Sequence, residues 1–310
     1  MFIWVESQLL LGGVPAVFSP AKINLFLAVT GRRADGFHDL VSLVAPLDFG
    51  DELAIESGNG FTLECDDPAV PADGSNLVLK AATAFASETG WKGGAHFRLT
   101  KRIPMGAGLG GGSSNAVAAL RGLNQLAGGP ASPVQLTEIA ARLGSDCALF
   151  LKNTPVIMRG RGERVEVVSE SVSAARLQGR RVLLFKPSFG INTAWAYGQM
   201  VKRGTDYLPE TEAERRLKEW LGGVGPVEEL LYNNMEGVAL EKFVALALLL
   251  EKIRQETGAV GRMSGSGSAC YVFLDEKQDS VPLTALIRTC WGATAFVQEA
   301  RITQSSALTG

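Results

Sequence analysis

Residues 103–120, IPMGAGLGGGSSNAVAAL, constrain this chain more than any other stretch: five glycines stand at Gly106, Gly108, Gly110, Gly111 and Gly112, and an apolar helical pattern starts directly after them. Glycine has no Cβ, so a ligand can approach such a backbone closely. The first N–H groups of a helix have no partner within it, and the helix dipole adds about half a positive charge at that end. Glycines feeding a helix N-terminus therefore make a phosphate cradle. Ser113 and Ser114 add hydroxyls suited to a phosphate oxygen or a magnesium ion. Two commoner phosphate signatures do not fit. The spacing Gly106-x-Gly108-x-x-Gly111 matches a dinucleotide fingerprint, but no acidic residue closes a second strand about twenty residues on, where PASPVQL opens another helix. No Gly-Lys-Ser/Thr follows, so a Walker A loop is excluded. A loop without a ligand is disfavoured, because ordering this many glycines costs chain entropy with no burial in return.

The flanking text sets this loop between a strand and a helix. AHFRLTKRI alternates Ala95, Phe97 and Leu99 with polar residues, and Val117, Leu120, Leu123 and Ala127 share one helical stripe. SNLVLKAATAFASETG predicts a helix capped by Ser75 or Asn76 and stopped at Gly90, and SPVQLTEIAARLG predicts one with a Ser132/Gln135 capping box. Gly144 ends the latter and leaves Ser145 and Asp146 at a helix terminus. Residues 17–55 read mostly as strand, with turn chemistry at Ala34-Asp35-Gly36 and Phe49-Gly50-Asp51. Beyond a Ser/Ala-rich change of character near 170–180, the pattern predicts a strand at RVLLFKPS and a helix from about Thr193. A long helix follows near 239–257, with FVALALLL buried in it. MSGSGSACYVF is a second glycine-rich turn before a strand. Alone it reads as a hairpin; paired with the first loop it is a candidate clamp.

At 310 residues the chain exceeds the usual size of one core, so two domains are expected, over 1–170 and 171–310. A formal charge of −2 leaves no electrostatic footprint for nucleic acid or anionic lipid. Cys65, Cys147, Cys270 and Cys290 are widely spaced and only two histidines occur, so neither a disulfide framework nor a protein metal cage is expected. The apolar residues 1–17 lack a basic leader and read as a first strand or a loose extension. FVALALLL is far short of the roughly 20 residues that span a bilayer. A cytoplasmic protein without membrane partners is expected, as a monomer or weak homodimer.

SPAKINLFLAVTGRRADGFH, IPMGAGLGGGSSNA and MSGSGSACYVF resemble, in this order, the three motifs of the GHMP kinases, and the resemblance spans nearly the whole chain. It implies an α+β fold of two domains, the first like ribosomal protein S5 domain 2 and the second a ferredoxin-like α/β sandwich. Lys22, Asn24, Gly36 and His38 in the first motif narrow the resemblance to the branch that uses ATP to phosphorylate a hydroxyl of a cytidine diphosphate-linked methylerythritol. That reaction lies on the non-mevalonate route to isoprenoid precursors. The resemblance further implies Asp146 as the base for the substrate hydroxyl and Lys22 as the cation beside it. ATP is expected on Pro104, Met105, Gly106, Ala107, Gly108, Leu109, Gly110, Gly111, Gly112, Ser113 and Ser114, with Lys101 and Asn76 at the nucleoside and Mg2+ carried chiefly by the phosphates. On the substrate side, Phe37 stacks on cytosine, His38 hydrogen-bonds it and Tyr197 closes the other face. Thr193 lies nearby, Asn24 reaches the methylerythritol, and Gly265, Ser266 and Gly267 complete the clamp.

The chain departs from the family pattern in places. Phe37 replaces a common Tyr, which keeps stacking and loses a hydroxyl. Cys147 and Ala148 stand where Val and Pro are usual after the base, and Cys147, with no histidine nearby in sequence, reads as a small inert hydrophobe. YNNMEG at 232–237 is assigned a structural part. A GHMP kinase for another small alcohol, such as homoserine or mevalonate, and a noncatalytic nucleotide-binding module are the alternatives. The pairing of Lys22 with Asp146 argues against the module, and Phe37, His38 and Tyr197 argue against the other alcohols.

Overall fold

The structure, a computed structural model, describes residues 9–11 and 14–303. Much of the expected N-terminal strand or extension over 1–17 therefore lies outside the described residues; β1 (Leu9–Leu11) pairs antiparallel with the start of β2 (Val14–Arg32). β2 and β3 (His38–Gly58) are two very long strands joined by the tight turn at residues 33–37, where Gly36 adopts φ +87°. Phe49-Gly50-Asp51, expected as a turn, lies within β3. Gly50 is needed there for closeness, since a Cβ on it would sit 2.3 Å from the Ser19 carbonyl oxygen of β2.

The pairing of β2 with β3 shifts register between Pro20 and Lys22, Asn24 and Phe26, and Val29 and Gly31. These irregularities decide which side chains face the cleft. Ala21, Ile23 and Leu25 are fully buried in a central core, which puts Lys22 and Asn24 on the opposite face. The shift after Asn24 then returns Phe26 and Ala28 to that same core.

β4 (Phe61–Cys65), α1 (Leu77–Thr89), β5 (Gly94–Thr100), α2 (Gly111–Leu126), α3 (Pro133–Leu143) and α4 (Cys147–Phe150) follow, then β6 (Val156–Gly160) and β7 (Arg164–Val167). Asn76 caps α1, with its side chain accepting from Val78 N, and Gly90 ends it in the left-handed conformation. The Ser132/Gln135 capping box of α3 is complete. These helices cover one face of the first sheet, with Phe85, Phe97, Leu120, Leu123 and Phe150 in a shared core.

The chain continues through α5 (Glu170–Arg176), β8 (Arg181–Lys186), α6 (Thr193–Arg203), α7 (Glu210–Gly222), β9 (Tyr232–Asn233), α8 (Glu236–Lys242) and α9 (Val244–Thr257), and closes with β10 (Arg262–Met263), β11 (Cys270–Leu274), α10 (Val281–Trp291) and β12 (Phe296–Arg301). The second sheet runs β10-β11-β8-β12, all antiparallel. β9 crosses back to pair parallel with β2, so the first sheet holds eight strands among the described residues. The long helix expected over 239–257 breaks at Phe243, whose φ −101° and ψ 69° are not helical. FVALALLL is only half-buried: Leu246 and Leu249 point into the core, while Val244 and Leu248 face out, as a helical period requires of a continuous apolar run. All four cysteines are free thiols.

One buried carboxylate joins β3 to the base of the glycine loop. Asp51, fully buried, accepts from Arg102 N at 2.7 Å, Ile103 N at 2.8 Å and Asn115 Nδ2 at 2.8 Å, and pairs with the Lys101 ammonium. Asp51→Ala strands that ammonium without its counter-charge, an expected cost of about 3–5 kcal/mol read as a lowered midpoint in urea unfolding.

Candidate active site

The two glycine-rich turns meet backbone to backbone. Ser268 N donates to Gly106 O at 3.3 Å and Ala269 N to Ala107 O at 3.0 Å, while Ser264 Oγ donates to Gly108 O at 2.9 Å. On the other side, Lys22 N donates to Leu109 O at 2.9 Å, which ties the loop to β2. The two turns paired in the sequence are thus joined by direct hydrogen bonds. Gly108 is fixed by this contact: at φ +74°, its Cβ would lie 2.1 Å from Ser264 O. Gly110, the left-handed N-cap of α2, meets Phe150 and the stem of Lys22 in the same way.

Lys22 and Asp146 stand together at this junction, Nζ to Oδ2 3.6 Å. The lysine is buried and the carboxylate is 39% exposed toward the cleft. Asp146 opens the short helix α4 but makes no side-chain cap bond, which leaves its carboxylate for the cleft. Lys22 Nζ also donates to Asn24 Oδ1 at 2.5 Å, and Asn24 Nδ2 donates to Ser42 Oγ at 3.0 Å, which in turn donates to Phe26 O at 2.6 Å. Burial pushes the Lys22 ammonium below the ordinary lysine value, and the Asp146 carboxylate opposes that shift. Cys147 is buried next to the acid and its thiol is pushed up to about 11 by burial, so it stays protonated and unreactive.

Beside this cluster lies a cavity of about 380 Å³ lined by the whole run Pro104–Ser113 together with Val70, Pro71, Ser75, Asn76, Leu77, Lys101 and Asn115. Ser114 Oγ is buried in the first turn of α2 with no hydrogen-bond partner. Lys101 and Asn76 line this cavity, but their polar groups are already engaged. The Lys101 ammonium is held by Asp51 and by Asn115 Oδ1 at 3.2 Å, and the Asn76 amide by Val78 N and Pro71 O. These contacts support the loop and α1 from the cavity wall.

The residues expected around cytosine gather at the other end of the cleft in a different pairing. Tyr197 stacks on His38 itself, centroids 4.6 Å apart at 24°, so its ring face is covered by the imidazole rather than standing opposite Phe37. Phe37 is 52% exposed, with the Arg161 guanidinium 4.8 Å from its ring centroid. His38 Nε2 lies 3.2 Å from the Tyr207 hydroxyl. Burial, with Arg32 adding to it, lowers the His38 pKa, which favours the neutral ring with one donor and one acceptor. Burial and the Asp146 carboxylate push the Tyr197 phenol up to about 12. Thr193 Oγ1 and Ser266 Oγ are 2.8 Å apart, and a Cβ on Gly265 would come 3.4 Å from Lys22 Nζ, so α6 and the second turn do converge on the lysine.

Further residues support the site, among them Asn233 of the YNNMEG stretch assigned a structural part. Asn233 Nδ2 donates to Met263 O and Gly265 O, both at 2.8 Å, and shapes the second turn. Tyr271 OH donates to Asn24 O at 2.9 Å. Ser42, a lone hydroxyl in the apolar run LVSLVA, carries a signal in the sequence, since a buried polar group needs a partner.

With this geometry in place, comparison with known proteins is specific. The family described as the GHMP kinases N terminal domain matches residues 76–154. The 4-diphosphocytidyl-2-C-methyl-D-erythritol kinase of Alcanivorax borkumensis is 35% identical over 286 residues, covering 90% of this chain and 88% of the relative. The enzyme of that name from Methylacidiphilum infernorum is 36% identical over 266 residues, covering 84% and 86%. A crystal structure of 4-(cytidine 5'-diphospho)-2C-methyl-D-erythritol kinase superposes with a TM-score of 0.73 at 31% identity, over 92% of this chain and 99% of that one. A homoserine kinase from Cytophaga hutchinsonii, 16% identical with a TM-score of 0.69 over 98% of both chains, shares the fold.

The close approach of Gly108 to the Ser264 carbonyl gives a direct check. Gly108→Ala is expected to raise the KM for ATP by about tenfold to a hundredfold, since small misplacements of a binding loop have effects of that size. Gly74→Ala, where the new methyl meets nothing within 4 Å, is the matched control and leaves it unchanged.

Proposed function

The chain belongs to the 4-diphosphocytidyl-2-C-methyl-D-erythritol kinases within the GHMP kinase superfamily, enzymes of isoprenoid precursor biosynthesis, and we propose that it transfers the γ-phosphoryl group of ATP to the 2-hydroxyl of 4-(cytidine 5'-diphospho)-2-C-methyl-D-erythritol. The observation that carries the residue assignment is the Lys22–Asp146 pair, 3.6 Å apart, set against the first glycine loop by the bond from Lys22 N to Leu109 O.

In this reading Asp146 accepts the proton of the attacking hydroxyl, the hydroxyl oxygen bonds to the γ-phosphorus, and ADP leaves. Lys22 stabilises charge on the transferred group, and Asn24, anchored by Ser42, orients the lysine and the sugar end of the substrate. Catalysis of this kind is mostly positioning and electrostatics, with the base supplying about 10²–10⁴-fold. The cavity along Pro104–Ser113 takes ATP, with its phosphates on the glycine backbone and the start of α2. The donors present suit a magnesium ion held mainly through those phosphates: Ser114 Oγ lacks a partner, Asp146 faces the cleft, and no cluster of three or more His, Cys, Asp or Glu able to cage a metal occurs among the described residues. When bound, it would neutralise phosphate charge, with Ser113, Ser114 and Asp146 as its neighbours.

Cytosine is assigned to the exposed ring of Phe37 and the neutral His38, with Tyr197 holding His38 and with Thr193, Gly265, Ser266 and Gly267 between the base and Lys22. Stacking on such a ring contributes about 1–3 kcal/mol, enough to favour a nucleotide-linked acceptor over a bare polyol. We assign 1–170 as the S5-domain-2-like ATP and catalytic part and 171–310 as the ferredoxin-like substrate part, acting in the cytoplasm as a monomer or weak homodimer. Strands through β7 in one sheet and the separate β10-β11-β8-β12 sheet support that division, with β9 as the crossing element.

With Mg-ATP, the purified protein is expected to phosphorylate the cytidine diphosphate-linked methylerythritol and to leave homoserine and mevalonate essentially untouched; comparable turnover of either would refute the assignment. Asp146→Asn is expected to lower kcat by at least about a hundredfold while ATP binding by calorimetry is kept. Raising the pH removes the Lys22 proton and with it the positive charge that stabilises the transferred phosphoryl group. The alkaline limb of kcat/KM should therefore fall at a pH below the ordinary lysine value of 10.5.

A further inference from the structure

The segment from β8 to α6, residues 187–192, lies against both glycine turns. Gly190 packs on the Gly106 backbone, where a Cβ on Gly190 would be 3.3 Å from Gly106 O. Ser268, whose N–H reaches Gly106 O, turns its Oγ to donate to Phe189 O at 2.5 Å. The same Phe189 carbonyl accepts from Lys186 Nζ at 2.9 Å, and Lys186 Nζ also donates to Pro187 O at 3.0 Å. Lys186 is 6% exposed, and among the described residues no carboxylate pairs with it.

A buried ammonium without a counter-ion is costly, and its retention needs a compensating task. Here the visible task is to satisfy two carbonyls of a short connection, that of buried Pro187 and that of half-buried Phe189, by charge-assisted hydrogen bonds, which are stronger and more directional than neutral ones. Burial also lowers the Lys186 pKa. The other side of the connection is covered by Phe189 stacked on Phe243, centroids 5.2 Å apart, so the carbonyl side is where the segment's position against Gly106 is set.

We propose that Lys186 is a positioning residue for the ATP loop: through the Phe189 carbonyl that it shares with Ser268, it holds residues 187–190 against Gly106 and so fixes the first glycine turn in its phosphate-binding shape. The inference rests on the proposed function only in that the loop binds ATP. Lys186 touches neither the Lys22–Asp146 pair nor the cavity lining.

The test is binding of a non-hydrolysable ATP analogue with Mg2+, measured by calorimetry, together with steady-state kinetics. Lys186→Met keeps the buried stem and removes the donor. It is expected to weaken analogue binding and raise the KM for ATP about tenfold or more, with kcat at saturation changed by less than about threefold. Ser268→Ala should act in the same direction, and serves if Lys186→Met does not fold. Because both act through one carbonyl, their effects should be non-additive in a double-mutant cycle. Variants that lower the thermal midpoint but bind the analogue as tightly as the parent, or whose binding losses simply add, would overturn the proposal and leave the kinase assignment standing. Failure of the parent protein itself to bind the analogue would instead count against the proposed function.

Discussion

The contact on which the rest of the site depends is the docking of two backbones, the turn at 106–109 and the turn at 264–269. Their hydrogen bonds run between main-chain groups and the Ser264 hydroxyl, so the two halves of the chain approach as closely as backbones can. A side chain at Gly108 is excluded by the carbonyl it would strike. The glycines thus answer two demands at once. Some carry the backbone into the N-terminus of α2, while others let the second half of the chain close onto the first.

Around that contact the structure holds three buried lysines in three electrostatic settings. Lys101 is paired with the fully buried Asp51 and supports the loop from below. Lys22 is only partly balanced, because its partner Asp146 is 39% exposed. Lys186 has backbone carbonyls alone. The same residue type meets a buried carboxylate, a partly exposed carboxylate or backbone carbonyls according to what stands within hydrogen-bond reach, so the compensation for burying its charge differs from site to site.

Local elements were read well where a local rule governs them. The capping box at Ser132, the Asn76 cap, the left-handed stop at Gly90 and the period-2 strand before the loop all depend on residues a few positions apart. The misreadings share one cause. Phe49-Gly50-Asp51 carries turn chemistry, yet Gly50 serves the close approach of β2, a partner some thirty residues away in sequence. The helix over 239–257 breaks at Phe243, which packs on Phe189 and Trp195 from distant elements. The pairing of Lys101 with Asp51 likewise joins residues fifty positions apart, beyond the reach of any local pattern.

By itself the sequence determined the chemistry that is possible here: a glycine cradle before a helix, one acid after a helix stop, one lysine and one asparagine two apart on a strand, and a resemblance that named the family. Those are properties of residue type and short spacing. Tertiary structure decided which groups meet. The register shifts of β2 turned Lys22 and Asn24 to the cleft, α4 set Asp146 against Lys22, and α6 brought Tyr197 onto the ring of His38. Contacts between residues more than a hundred positions apart are fixed by packing of whole sheets and helices, and no local pattern encodes them.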